Sequence, residues 1–390
     1  MTCYLPRDEN TKLFRIFASM NQQGARAFLI GFTLLALLTL FQQIFHPIKL
    51  AGLQGAFDKG EAPEFSTAEW FKGQYQVKAD HYLKYNTAFN GELVRLRNQV
   101  DYSVFGNINT ILTLGKENYI FDPNYIYALN GTDIPDDSTL TEKVHAVNHS
   151  IALLDSLHVP LFVFFAPNKA SYYQEYLPEP LTASSKTNRA FFNSILEEHK
   201  VPVIEFSEWF LTMKSTTKYP LVPKYGAHWT TYGAYLAVDS MLEKMYSGRN
   251  EKFASFALDK IEMSDKALYT DDDYLASLNL MVKWKSPRMA YPKLSFSEGK
   301  KPTVLIISDS FIWNLYDLGI IQNCFSEKSQ LRYYNKTSYD YLKNNQGPVF
   351  NLSIENLKMC DFVVVISSDP SLKDFGFGFF ESLNHLTNHE

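Results

Sequence analysis

From Ala27 to Phe45 the chain reads AFLIGFTLLALLTLFQQIF, roughly nineteen positions without a charged residue. As a helix such a run rises about 28 Å, close to the thickness of a bilayer's hydrocarbon core. Gln42 and Gln43 are its only strongly polar interruptions, and both sit near the end. A buried core helix keeps a polar face, and this run has none, so residues 27–46 read as a transmembrane anchor. Arg7, Lys12, Arg15 and Arg26 precede it, whereas only Lys49 and Lys59 follow closely. That bias predicts residues 1–26 in the cytoplasm and everything beyond about 47 outside it. The expected location is the inner (cell) membrane, single-pass, with the bulk of the chain periplasmic or otherwise extracytoplasmic. A cleaved signal peptide fits less well: its basic region would be long, its apolar run too long, and no A-x-A site follows.

The remaining residues are ample for a real core. Hydrophobic residues make up 46% and charged residues 20%, values of a globular rather than a disordered chain. A net charge of −5 leaves no basic footprint for nucleic acid. Aromatics reach 15%, which either fills a core or lines a sugar-binding surface. Neither a Cys/His cluster at zinc spacing nor a P-loop or GxGxxG stretch is present, so no metal or other cofactor is expected. Of three cysteines, Cys324 and Cys360 lie beyond the anchor, where they could pair or remain buried thiols.

Residues 47–66 are punctuated by Gly and Pro and read as a linker to one domain over 67–390. A mixed helical stretch is expected from about 67 to 104, a hairpin over Ile111–Asp122, and a helix at about 141–157. Four short apolar runs then follow: Val159–Ala166, Val201–Phe206, Thr303–Ser308 and Cys360–Ser367. Their length and Val/Ile content favour strands, and the helical patterns around them, including 186–199 and 230–246, predict an α/β parallel sheet flanked by helices.

In open parallel sheets reactive groups gather beyond the carboxyl ends of strands. The run TVLIISDSFIWNLYD (303–317) carries a buried strand into Asp309 and Ser310 just before a helix-like segment. Backbone N–H groups there can stabilise an oxyanion; equally, Asp309 or Ser310 can simply cap the helix. His228 precedes the helix at 230 and is either a general base or a histidine packed beside Trp229. Asn168 and Lys169, in APNKASYY after a strand, supply an amide and an ammonium with Tyr172 close by, in an oxyanion or sugar-binding wall or in a solvated turn. Ser367, Ser368 and Asp369 form a weaker cluster after the last strand.

Taken in this order, the elements resemble the SGNH-hydrolase-like domain of the alginate O-acetyltransferase family, periplasmic partners of membrane-bound O-acyltransferases. The matching pieces are the hairpin at Gly115-Lys116, APNKASYY with its trailing Tyr-Leu-Pro, His228-Trp229-Thr230 before a Gly-containing helix, and Asp309-Ser310-Phe311. MAYPKL (289–294) and FGFGFFE (375–381) are further points of likeness. By this resemblance Ser310 is the acyl-accepting nucleophile and His228 the base, with Asn168, Lys169, Tyr172 and Trp229 facing substrate. The family pattern has Asp two residues before the His; here Gly226 stands there, so either another carboxylate substitutes, with Asp369 the candidate, or the site is a Ser-His dyad, or it is inactive. The resemblance implies an O-acyltransferase, O-acetyl in type, acting on an extracellular polysaccharide with acyl groups from a membrane-bound O-acyltransferase. The rivals are a carbohydrate esterase using the same site and a non-catalytic glycan-binding or docking subunit, which Gly226 would favour.

Overall fold

The computed structural model describes residues 22–55 and 59–386. The basic residues Arg7, Lys12 and Arg15, on which the expected orientation rests, lie outside them. The chain divides into two compact units. One holds the described residues through Gly106 together with Asn279–Val282, and the other holds Asn107–Leu278 and Lys283 onward.

In the first unit, Gln22–Phe45 forms one helix long and apolar enough to cross a membrane. Its Phe, Leu and Ile side chains stand exposed all round, as a surface facing lipid rather than water would require. The expected helical stretch from 67 to 104 is instead three helices, Thr67–Phe71, Gln74–Asn86 and Asn90–Phe105. Gly73 and Phe89 break it, because each takes the left-handed conformation (φ 76° and 63°) that no helix continues through. These helices group with the apolar helix Gln22–Phe45 in the first unit, and the second unit begins at Asn107.

The second unit is built on a seven-stranded sheet. Its strands follow, along the chain, a small antiparallel hairpin of β1 (Thr113–Leu114) and β2 (Ile120–Phe121). They are β3 (Leu161–Phe165), β4 (Val203–Glu205), β7 (Val304–Ser308), β8 (Gln330–Tyr333), β9 (Thr337–Asp340), β10 (Gln346–Pro348) and β11 (Phe362–Ser367). Between them β5 (Ser255–Ser264) and β6 (Met289–Ser297) form a separate antiparallel ribbon. The sheet order is β10-β9-β8-β7-β11-β3-β4. The five strands from β8 to β4 run parallel, and β9 and β10 add an antiparallel edge.

The wholly apolar runs follow from burial on both faces. Phe162, Phe164, Ile306 and Val364 point to one face and pack under the helices Phe206–Met213 and Thr231–Tyr246. Leu161, Val163, Phe165, Leu305, Ile307 and Val363 point to the other, under Asp137–Ser156 and Asn188–Glu198. With period-two alternation, both classes must be apolar when both faces are covered. Each such side chain contributes roughly 1.5–3 kcal/mol on burial. Cys324 lies in the first of these layers, and both it and Cys360 are free thiols, so the pairing the sequence allowed is not made.

Candidate functional site

β7 ends at Ser308, and the chain turns at once into a 3-10 turn, Ser310–Ile312, that leads into the helix Trp313–Asp317. Asp309 shapes this turn. Its Oδ1 accepts from the Phe311 N–H at 3.1 Å, and its Oδ2 accepts from the Ser368 N–H at 2.7 Å and the Ser371 hydroxyl at 3.1 Å. The capping role is therefore filled by Asp309, which also ties the end of β7 to the segment after β11. Ser310 is left half-buried at the carboxyl edge of the sheet.

The Ser310 Oγ lies 2.8 Å from His228 Nε2, across 82 residues of sequence. His228 is buried, its ring edge-on to Phe311 at 4.8 Å between centroids. Trp229 beside it is fully buried, edge-to-face with Phe206 at 5.6 Å and Phe311 at 5.2 Å. Thr230 caps the following helix by accepting from the Gly233 N–H at 2.9 Å, and donates to Pro220 O at 2.7 Å. The imidazole thus sits on a rigid base.

The other ring nitrogen, Nδ1, lies 3.0 Å from Asp273 Oδ2. The carboxylate is near enough for an ion pair with a protonated ring, although the ring N–H is not aligned for a straight hydrogen bond. Such bonds often tighten only when substrate is bound. Asp273 is itself held, because its Oδ1 accepts from the Ala227 N–H at 2.8 Å. It arrives on the connection between β5 and β6, which is joined to the His228 segment where the Leu275 N–H donates to Tyr225 O at 3.1 Å.

Asp369, the acid expected from the sequence, is engaged elsewhere. It is ion-paired to Arg189, with Nε to Oδ1 at 2.6 Å, and its Oδ2 accepts from Asn168 Nδ2 at 2.6 Å. Arg189 draws it toward β3 and β4, so it is not the carboxylate on the imidazole. The Gly226 position explains the exchange. A Cβ there would meet Thr270 O at 2.5 Å and Pro223 Cγ at 2.8 Å, so the chain that delivers Asp273 fills the space.

The four expected substrate contacts also lie inside the protein. Asn168, Lys169, Tyr172 and Trp229 are 1%, 1%, 3% and 0% exposed. Asn168 caps the short helix Lys169–Tyr172 through Oδ1 and donates to Tyr125 O at 3.2 Å. Lys169 Nζ donates to Lys224 O at 2.8 Å and Gly226 O at 2.7 Å, tying down the segment that ends at His228. Burial holds its pKa well below the usual lysine value. These residues build the site's wall from behind and offer no face to a sugar.

Besides Asp273, two further residues that sequence reasoning missed complete the site. The Tyr334 side chain neighbours Ser310, and burial pushes its pKa up to about 12, so its hydroxyl stays protonated. Asp271, 3% exposed, accepts from the Thr231 N–H at 3.1 Å at the start of the helix after His228, and burial raises its pKa to about 7. The acidic triplet Asp271-Asp272-Asp273 was the signal available for the acid. A tyrosine directly after β8, a strand without a clear sequence pattern, gave none.

Fold and site together define an α/β protein with a Ser-His-Asp constellation at the carboxyl edge of its sheet. No family model matches the chain, and no curated protein does. Among solved structures it is similar to the O-acetyltransferase domain of Pseudomonas putida AlgJ, with TM-score 0.44 and 16% identity over 67% of this chain and 92% of that one. It is also similar to Pseudomonas aeruginosa AlgX, with TM-score 0.43 and 10% identity over 70% and 67%. A third is Bacillus cereus PatB1, with TM-score 0.41 and 14% identity over 70% and 100%.

Proposed function

We propose that this protein is an exported serine O-acyltransferase, O-acetyl in type, that modifies hydroxyls of an extracellular polysaccharide. The observation that carries the proposal is the 2.8 Å approach of Ser310 Oγ to His228 Nε2, with Asp273 at 3.0 Å behind the ring. In this reading the Ser310 oxygen attacks the donor's acyl carbonyl as its proton passes to Nε2. The tetrahedral oxyanion receives hydrogen bonds from the Tyr334 hydroxyl and the Ser310 N–H. The donor's leaving group departs with the proton from His228, and Ser310 keeps the acyl group. A sugar hydroxyl then attacks the ester, giving its proton to Nε2, and Ser310 leaves with that proton. Asp273 stabilises the imidazolium formed in both halves. By the family resemblance, the acyl donor is supplied by a membrane-bound O-acyltransferase, and the Gln22–Phe45 helix holds the domain at the outer face of the membrane.

Gly226 motivated the reading as a non-catalytic subunit. With Asp273 supplying a carboxylate, the glycine no longer favours that reading. The test is incubation of the chain with an activated acetyl ester. Acetyl mass is expected on a peptide containing Ser310, absent in Ser310→Ala and slowed on the order of 100-fold or more in His228→Ala. An adduct that persists in Ser310→Ala would defeat the proposal. Product analysis with a glycan acceptor separates transfer from hydrolysis.

A further inference from the structure

The carboxyl edge of the sheet carries a second concavity. A cavity of about 510 Å³ opens beside the ends of β3 and β4, with Asp369 and Arg189 in its lining. Arg189 is held from three sides: it donates to Asp369, to Glu205 Oε2 at 2.6 Å and to Ala166 O at 2.8 Å. Its guanidinium is thereby occupied and leaves no free cation for an anionic guest. Glu197 and Glu208 add two more carboxylates, so the lining sets one cation against four acids. Asn193 and the hydroxyls of Ser171, Ser184 and Ser207 make up much of the remainder.

Position links this cavity to Ser310. Because β7, β11, β3 and β4 are parallel neighbours, Ser310 and the cavity share one edge of the sheet. From β7 to β4 is three strand spacings, about 14 Å at roughly 4.8 Å each. An extended polymer lying along that edge reaches both. Carboxylates, an amide and hydroxyls in a concave wall suit paired sugar hydroxyls, since hydrogen bonds to ionised acceptors are the strong ones. The acid excess repels a sugar that itself bears a carboxylate.

We infer that this cavity is a subsite for the acceptor glycan, taking a neutral or amine-bearing sugar residue and excluding polyuronates by charge. The inference rests on the acyl-transfer reading above and narrows its substrate class. It also gives Asp369 a place in the protein, as part of the fixed floor of the subsite.

The test uses the full chain in detergent and three oligosaccharide probes of equal length: a neutral hexose, a glucosamine-containing and a uronic acid series. Calorimetric titration should show the first two binding at least about tenfold more tightly than the third. Ala190 is exposed on the cavity wall, so Ala190→Trp fills the space without disturbing the core. That variant should raise the KM for the accepted glycan about tenfold, while hydrolysis of p-nitrophenyl acetate at Ser310 is unchanged. Glu208→Lys, also at an exposed position, should strengthen uronate binding. Uronate binding equal to or tighter than the neutral series, or an unchanged glycan KM in Ala190→Trp, would overturn the inference. If the wild-type chain fails to hydrolyse the small ester, the acyl-transfer reading fails, and the titrations still decide the cavity.

Discussion

A Cβ on Gly226 would lie 2.5 Å from the carbonyl oxygen of Thr270 and 3.0 Å from that of Asp271. Backbone atoms at that distance cannot give way as the tip of a side chain can. The position two residues before His228 is therefore closed to any larger residue. The connection that closes it also places Asp273 on the imidazole from 45 residues further along the chain.

Gly226→Asp should not restore a missing acid. Overpacking against two carbonyls costs about 1–3 kcal/mol, and Gly226→Ala should already lower the melting temperature and the turnover of an activated ester. A Gly226→Asp variant with wild-type melting temperature and higher turnover would show that the loop yields and that the acid is not settled at Asp273.

Asp273 and Asp369 should separate cleanly. Asp273→Asn should reduce ester turnover on the order of 100-fold or more, with little change in melting temperature, because the carboxylate is partly exposed and serves the imidazolium. Asp369→Asn strips a buried arginine of one partner and should cost about 3 kcal/mol of stability. Its pH–rate profile should stay that of the wild type at temperatures where it is folded. Thermal melts and pH–rate profiles of both variants check this, and the reverse pattern would return the acid's role to Asp369.

Asp271 should make stability fall as pH rises toward neutrality. Burial raises its folded pKa from 3.8 to about 7, so between those values the folded state binds the extra proton. Stability from this group is then full below about pH 4 and is lost as pH rises through 7. Asp271→Asn keeps an acceptor for the Thr231 N–H and removes the titration. Its melting temperature relative to wild type should climb between pH 5 and pH 8, and a difference that stays flat over that range would contradict the assignment.

Tyr334→Phe removes one oxyanion donor while keeping the ring. Turnover should fall roughly 10–100-fold, with the KM for a small ester and the melting temperature little changed. Equal kcat in the two proteins would remove Tyr334 from the site.

Much of the frame was legible in the chain itself. The run Val159–Ala166 became β3 (Leu161–Phe165), Thr303–Ser308 became β7, and Cys360–Ser367 became β11, each trimmed by one to three residues. An uninterrupted apolar strand has only one stable setting, the middle of a sheet covered on both faces. The Ser310 turn and the His228 helix start were legible for the same local reason. The strands β5, β6, β9 and β10 were not, because solvated or half-exposed polar residues hide the pattern, and β8 was not, because Gln330 and the buried Arg332 break its apolar run.

The long apolar helix, the central strands, the Ser310 turn and the start of the helix after His228 were thus determined by local composition and period, which need no knowledge of distant contacts. Tertiary structure alone decided which carboxylate lies against His228 and what the buried polar residues contact. Asp273 and Asp369 are chemically identical and both precede or begin a helical turn, so nothing in their neighbourhood along the chain distinguishes them. What separates them is which partner each meets across long stretches of sequence: His228 for one, and Arg189 for the other. A carboxylate in a folded protein takes its function from the nearest cation or proton carrier, and that neighbour exists only once the chain has packed.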